Sequence, residues 1–290
     1  MKIVMMGSGG VGGFFGGKLA HAGYDVSFVA RGAHLAALRE HGLAIENAGG
    51  REELRVPRVR ATDDPASLGK ADLVILSVKL WDTEAAARAI KPLVGPDTAV
   101  LSLQNGVRKD EVMRREFGEA AVMGGVCYVA TTIVRPGVIG QTGAMQRVVI
   151  GEYDGRQSDR ARFLHQALRD AGVQAELSSD VRRAIWEKYV FLVGLSGSTT
   201  SMRVPIGPVR SHPRSRAFLL QLMSETVATG RAHGVGLPAD FAENRLAFAD
   251  TLPAEMTSSM HHDLQRGNRL EVDWLSGGVV QLGQDKGIAT

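Results

Sequence analysis

Lys2-Ile3-Val4-Met5-Met6 runs directly into Gly7-Ser8-Gly9-Gly10-Val11-Gly12, and this stretch decides the fold. Lys2–Met6 reads as a short buried strand. Val11 to His21 reads as a helix closed by Gly23, and Asp25-Val26-Ser27-Phe28-Val29-Ala30 as a second strand. G-x-G-x-x-G is a weak pattern by itself in a chain with 35 glycines. A strand before it, a helix opening on it and a second strand beyond make it specific.

Each glycine has a mechanical task. The first permits the tight turn, the second lets backbone approach a pyrophosphate, and the third lets helix and strand pack closely. The free N–H groups and positive end of the helix then hold phosphates. Gly7, Ser8, Gly9, Gly10, Val11 and Gly12 are therefore the expected dinucleotide-binding residues. The end of the second strand selects the dinucleotide. An acidic residue there would bond a ribose 2′-hydroxyl, but the chain reads Val29-Ala30-Arg31-Gly32. Arg31 offers a planar fork suited to a 2′-phosphate, which predicts NADP(H) over NAD(H). Lys79, just past a third apolar strand, offers a second positive charge, although a solvated lysine fits there as well.

Further along, Asp72-Leu73-Val74-Ile75-Leu76-Ser77-Val78 is a continuous apolar run typical of a parallel strand covered on both faces. A helix over Thr83 to Ile90 and a strand over Thr98 to Leu103 follow. Val122 to Gly151 is β-rich, with a turn at Pro136-Gly137. Strands alternating with helices predict an α/β fold with a Rossmann-type, doubly wound parallel sheet. Beyond Ser178-Ser179-Asp180 the pattern is helical: Val181 to Leu195, Arg214 to His233, Asp240 to Ala249, Pro253 to Arg266 and Leu270 to Leu282. The boundary is expected there, with 1–179 as the dinucleotide domain and 180–290 as an all-helical second domain. A length of 290 residues fits about two domains.

Composition narrows the function classes. Hydrophobic residues at 44% and charged residues at 22% supply an ordinary core. The net charge is +3 with no long run of Lys or Arg, so nucleic acid is not implied as a partner. The single cysteine, Cys127, reads as a small core residue and fits a reducing, cytoplasmic compartment. Four apolar residues after Lys2 are too few for a signal peptide, and Tyr189 to Leu195 is too short to span a bilayer, so no membrane association is expected. His261 and His262 point about 100° apart on a helix and read as a solvated pair; no metal is expected. The basic cluster Arg210 to Arg216 reads as a solvated loop and helix start. Methionines such as Met256 and Met260 read as core filler.

The second half holds three polar residues in apolar company. Lys188 has Ala184, Ile185, Phe191 and Leu192 at helical spacing, where an ammonium is costly without partners; the alternative is a lysine whose head reaches the surface. Glu271 has Leu275 and Gly278 as helical neighbours, and a partner such as Lys188 would suit it. Ser259 borders the apolar stripe of Met256, Met260 and Leu264.

Taken together, Gly7 to Gly12, Arg31, Lys79, Gln104-Asn105-Gly106, Trp186-Glu187-Lys188, Ser258-Ser259-Met260 and Glu271-Val272-Asp273 resemble the ketopantoate reductase (2-dehydropantoate 2-reductase) family, in the family's order and over most of the chain. The resemblance implies a Rossmann domain followed by a helical domain, with the active site in the cleft between them. It implies NADPH-dependent reduction of a 2-keto acid, ketopantoate to pantoate, in pantothenate biosynthesis. Lys188 would be the catalytic residue, Asn105 would sit near the nicotinamide, and Ser259 and Glu271 would contact the substrate.

Two departures bear on the substrate. Family members carry substrate-contacting asparagines one and two helical turns after the lysine, where this chain has Leu192 and Ser196. Another 2-keto acid or a more apolar ketone is then an alternative substrate. A non-catalytic NADP(H)-sensing protein on the same scaffold is an alternative of another class. The chain ends at Gly287-Ile288-Ala289-Thr290, earlier than the family usually does, so the second domain is expected to lack a final covering helix. Homodimerisation through helices of the second domain is compatible with this organisation.

Overall fold

Strand β1 (Lys2–Met6) leads into α1 (Gly10–His21), β2 (Asp25–Val29) and α2 (Gly32–His41) in the computed structural model, which describes residues 1–290. There follow β3 (Leu43–Glu46), β4 (Glu52–Val56), β5 (Arg60–Thr62), β6 (Leu73–Leu76), α3 (Thr83–Ile90), β7 (Ala99–Ser102) and α4 (Lys109–Phe117). The long strands β8 (Val122–Arg135) and β9 (Val138–Gly151), then α5 (Asp159–Asp170) and β10 (Gln174–Leu177), complete the first half. The remainder is helical: α6 (Val181–Met202), α7 (Ile206–Ser211), α8 (Pro213–Ala232), α9 (Phe241–Asp250), α10 (Ser259–Gln265) and α11 (Ser276–Gln284). The protein is an α/β chain with a largely parallel N-terminal sheet and a helical C-terminal part.

The sheet order is β4-β3-β9-β8-β7-β6-β1-β2-β5, with β10 also on β9. Strands from β5 through β2, β1, β6 and β7 to β8 are all parallel. Their apolar runs are explained by alternation, because successive side chains point to opposite faces and both faces are covered. Ile3, Met5, Phe28, Leu73 and Ile75 join one buried cluster, while Val4, Met6, Val29, Val74 and Leu76 join another. β1 has β2 on one side and β6 on the other. The chain thus reverses its direction of winding beside β1, and the crevice at the carboxyl ends of such strands is where ligands of this architecture sit.

The β-rich stretch Val122 to Gly151 forms a hairpin of two 14-residue strands, antiparallel to each other. β9 is long enough to pair with β3 at Val138–Gly140 and with β10 at Arg147–Ile150. The Pro136-Gly137 turn is clamped from several sides. Gly137 N–H donates to His34 Nδ1 at 3.1 Å, Ala44 N–H donates to the Gly137 carbonyl at 3.0 Å, and Arg135 pairs with Glu46. Burial holds the His34 imidazole below its ordinary pKa, in the neutral form that can accept this bond.

Contacts divide the chain into two units: Met1–Gln104 with Lys109–Val181, and Asn105–Arg108 with Arg182–Thr290. In the helical unit α6 continues to Met202, seven residues past the expected Leu195. Its Ser196, Ser198 and Thr199 hydroxyls each donate to the carbonyl four residues back, so they are satisfied inside the core. Other expectations are corrected by tertiary hydrogen bonding. Pro253 to Ser258 is not helical; its Ala254 and Met256 carbonyls accept from Gly207 and Ile206 at the start of α7. Helix α11 begins only at Ser276, after a turn in which the Glu271 carbonyl accepts from Trp274 and Leu275 N–H. Arg210 and Arg216 are not merely solvated. Arg210 donates to the Ala249 and Leu252 carbonyls at 2.6 and 2.7 Å, and Arg216 forks onto Asp250, fastening α7 and α8 to α9. His261 is 2% exposed, with Nδ1 2.8 Å from the Thr199 carbonyl, so the histidine pair is half core. No helix is long and apolar enough to cross a membrane.

Candidate active site

The glycine loop leaves β1 at its carboxyl end. Gly7 has φ +96°, a left-handed conformation that only glycine adopts cheaply. Its N–H donates to the Val29 carbonyl at 3.2 Å, and Ser8 Oγ donates to the same carbonyl at 3.0 Å, which locks the loop onto the end of β2. A Cβ on Gly12 would lie 2.0 Å from the Gly7 carbonyl oxygen and 2.2 Å from Ser77 Oγ. At Gly9 a Cβ would meet nothing within 4 Å, so backbone faces open space there. Gly9 is the N-cap of α1 and supplies no side-chain cap, and the first turn carries no acid. The first amides of a helix lack intrahelical partners, so this terminus presents free donors and positive potential.

Gly10, expected as part of the dinucleotide loop, is also a packing position, because a Cβ there would lie 2.5 Å from the Thr131 carbonyl oxygen of β8. That contact comes from a strand 121 positions away, and no local signal announces it. Ser77, just past β6, has a role that the apolar run around it does not signal: its Oγ donates to the Gly7 carbonyl at 2.6 Å and buttresses the loop.

Arg31 follows β2 directly, at the N-cap of α2. It is exposed and its guanidinium carries no hydrogen bond or ion pair within the chain. Lys79 follows β6, half-buried, with Nζ 5.7 Å from the Trp81 ring centroid. The glycine loop, Arg31 and Lys79 thus all stand at carboxyl ends of adjacent parallel strands β1, β2 and β6.

Lys188 lies in the second turn of α6 and is half-buried, on a flank where Ala184, Phe191 and Leu192 are also half-buried. Its Nζ donates to Asn105 Oδ1 at 2.7 Å. Asn105 follows β7 after Leu103 and Gln104, and belongs with Arg108 to the helical unit, where Arg108 donates to the Gln281 side chain of α11. Two residues separated by 83 positions in sequence are thereby brought to hydrogen-bond distance.

Glu271 is 6% exposed and sits in the turn before α11. Tyr189, next to Lys188, pins this turn: its hydroxyl donates to the Leu275 carbonyl at 2.6 Å, and burial holds the phenol well above its ordinary pKa. Sequence reading treated Tyr189 only as part of an apolar run. Tyr189→Phe should lower the unfolding free energy by about 0.5–1.5 kcal/mol, because the buried Leu275 carbonyl keeps only its longer bond from Val279 N–H at 3.3 Å. Urea unfolding measures this, and an unchanged midpoint removes the pin. Ser259 is exposed at the first position of α10, whose N-cap is the buried Ser258. Ser258 Oγ accepts from His261 N–H at 3.1 Å and lies 3.3 Å from Thr199 Oγ1 of α6.

Comparison with known proteins agrees with this architecture. Residues 3–155 match the family described as Ketopantoate reductase PanE/ApbA, and residues 180–290 match its C-terminal family. A 2-dehydropantoate 2-reductase of Archaeoglobus fulgidus is 34% identical over 99% of this chain and 92% of its own length. A PanE/ApbA family ketopantoate reductase structure from Ralstonia eutropha superposes with TM-score 0.89 at 35% identity, covering 100% of this chain and 93% of that one. A 2-dehydropantoate 2-reductase structure from Geobacter metallireducens superposes at 0.91 with 28% identity, covering 100% and 95%. With both halves of the chain matched in order, the protein belongs to the ketopantoate reductase family.

Proposed function

We propose that this chain reduces a 2-keto acid with NADPH, with 2-dehydropantoate as substrate and pantoate as product. The reading is carried by the 2.7 Å bond between Lys188 Nζ and Asn105 Oδ1, in a chain whose N-terminus holds an uncapped glycine loop. Residues 1–179 serve as the NADP-binding domain and 180–290 as the helical catalytic and substrate domain.

The residues present fit a phosphorylated dinucleotide. Open space at Gly9 and the free amides at the start of α1 suit a pyrophosphate, with Gly7, Ser8, Gly10, Val11 and Gly12 forming the rest of the cradle. Arg31 and Lys79 supply positive charge beside it, with no carboxylate at the end of β2. When bound, the cofactor supplies hydride to the ketone carbon. Lys188 stabilises the negative charge that develops on the carbonyl oxygen and gives that oxygen its proton, which completes the hydroxyl. Asn105 orients the ammonium by accepting one of its N–H bonds. Ser259 and Glu271 contact the substrate's polar groups.

Arg31→Ala should raise the KM for NADPH about ten- to a hundredfold, the equivalent of one or two charge-assisted hydrogen bonds, and leave that for NADH nearly unchanged. Steady-state titration of both cofactors decides it; an unaltered preference would remove Arg31 from the site.

A second reading, a different 2-keto acid or a more apolar ketone, is favoured by one observation. Ser196 is fully buried and its hydroxyl donates to the Leu192 carbonyl at 2.6 Å. Neither position one turn nor two turns after Lys188 then offers a free donor. NADPH oxidation against a panel of keto acids separates the readings. The highest kcat/KM on 2-dehydropantoate supports the first, and a higher value on an apolar 2-keto acid supports the second. NADPH binding with no turnover on any of them supports a sensor.

A further inference from the structure

Asn105 sits on the four-residue segment Asn105–Arg108, and the residues on either side of it belong to the sheet unit. Both of those flanking residues are buried polar side chains that converge on Ser102, the last residue of β7. On one side Gln104 is 6% exposed, and its amide is saturated. Its Oε1 accepts from Ser102 Oγ at 2.9 Å, and its Nε2 donates to the Val78 carbonyl at 3.0 Å and to Thr83 Oγ1 at 2.8 Å. On the other side Lys109 has a fully enclosed side chain. Its Nζ donates to the Ser102 carbonyl at 3.0 Å, to the Gly125 carbonyl of β8 at 3.2 Å, and to the Asp110 carboxylate at 2.9 and 3.1 Å. Asp110 is equally enclosed and also accepts from the Tyr153 hydroxyl at 2.5 Å, while the Arg114 guanidinium lies 4.4 Å from the Tyr153 ring centroid.

A Lys-Asp doublet at the start of a helix normally faces water. Enclosing both charges is costly, and an apolar pair of similar volume would stabilise a fold as well. What the ion pair adds is direction. The ammonium joins the end of β7, β8 and the first turn of α4, and so fixes where the chain re-enters the sheet unit after Arg108. We propose that Lys109, held by Asp110 and Tyr153, is a positioning residue for Lys188. It sets the register of Asn105–Arg108 and, through it, the bond from Lys188 Nζ to Asn105 Oδ1. The inference rests on Lys188 being the catalytic lysine.

The test is the double substitution Lys109→Met/Asp110→Asn in the full chain, which removes both charges so that neither is left buried alone. With the protein folded, kcat should fall about ten- to a hundredfold, as expected when a catalytic group is displaced by a fraction of an ångström to an ångström. The Kd for NADPH should stay within about threefold, and the loss should largely vanish when Asn105→Ala is already present, because coupled residues are not additive. An unchanged kcat overturns the proposal. So does a loss undiminished in the Asn105→Ala background, or a parallel loss of NADPH affinity. If the double variant does not fold, Tyr153→Phe carries the same cycle: a reduced kcat that depends on Asn105 supports the proposal, and an unchanged or additive one overturns it. Lys188→Ala assayed alongside separates the two levels. Turnover retained there refutes the catalytic reading, whereas turnover lost there but kept in the double variant refutes only the positioning role.

Discussion

Lys188→Ala is expected to lower kcat by about a hundred- to ten-thousandfold, the range spanned by loss of a positioned proton donor. Two effects act on the same atom. In the proposed reaction the ammonium offsets charge on the ketone oxygen as it forms, and it then supplies the proton that makes the hydroxyl. Cofactor affinity should be nearly unaffected, because the glycine loop, Arg31 and Lys79 are carried by the sheet unit and Lys188 by the helical one. The measurements are NADPH Kd by fluorescence titration and kcat with saturating 2-dehydropantoate. A variant that binds NADPH and still turns over within about threefold of the parent would mean that another group protonates the product.

The second large effect is at Gly12. An alanine Cβ there would lie 2.0 Å from the Gly7 carbonyl oxygen and 2.2 Å from Ser77 Oγ, and those two atoms are themselves hydrogen-bonded at 2.6 Å. Neither is the loose end of a long side chain, so α1 must move away from the end of β1. Overpacking of this kind costs about 1–3 kcal/mol. NADPH affinity should fall with it by at least about a hundredfold, or nearly 3 kcal/mol, since the amides proposed to hold the phosphates are displaced. Gly9→Ala is the control. Its Cβ meets nothing in the chain, so the unfolding midpoint should be preserved and NADPH affinity alone should drop. If Gly9→Ala binds NADPH as the parent does, the phosphates do not lie against Gly9 and the cradle is wrongly placed. Equal stability of Gly12→Ala and the parent would contradict the close approach of α1 to the loop.

Much of the frame was readable from local pattern. The runs at Lys2–Met6 and Leu73–Leu76 are continuous and apolar because both faces of each strand are covered, and periodicity reports that directly. The turn at Pro136-Gly137 is encoded by its own two residues, and the flanking β-rich stretch became the long hairpin β8–β9. Helical boundaries failed where a distant partner decided them. Pro253 to Ser258 has helix-compatible residues, but its carbonyls are taken by the amides of α7. Arg210 and Arg216 look like solvent-facing charge until Asp250 and the carbonyls at the end of α9 are placed beside them.

The sequence by itself determined the dinucleotide loop, the change from alternating strands and helices to helices alone, and the presence of a lysine in an apolar helix. Those are properties of neighbouring residues: backbone freedom, hydrophobic period and the cost of a charge among apolar side chains. Only the tertiary structure decided that Lys188 meets Asn105, that Gly10 must be glycine because Thr131 lies against it, and that Lys109 and Asp110 are enclosed. Each of these depends on where a remote segment comes to rest. A polar group's partner, and hence whether its burial is tolerated, is set by the packing of the whole chain and leaves no imprint on the spacing of its neighbours.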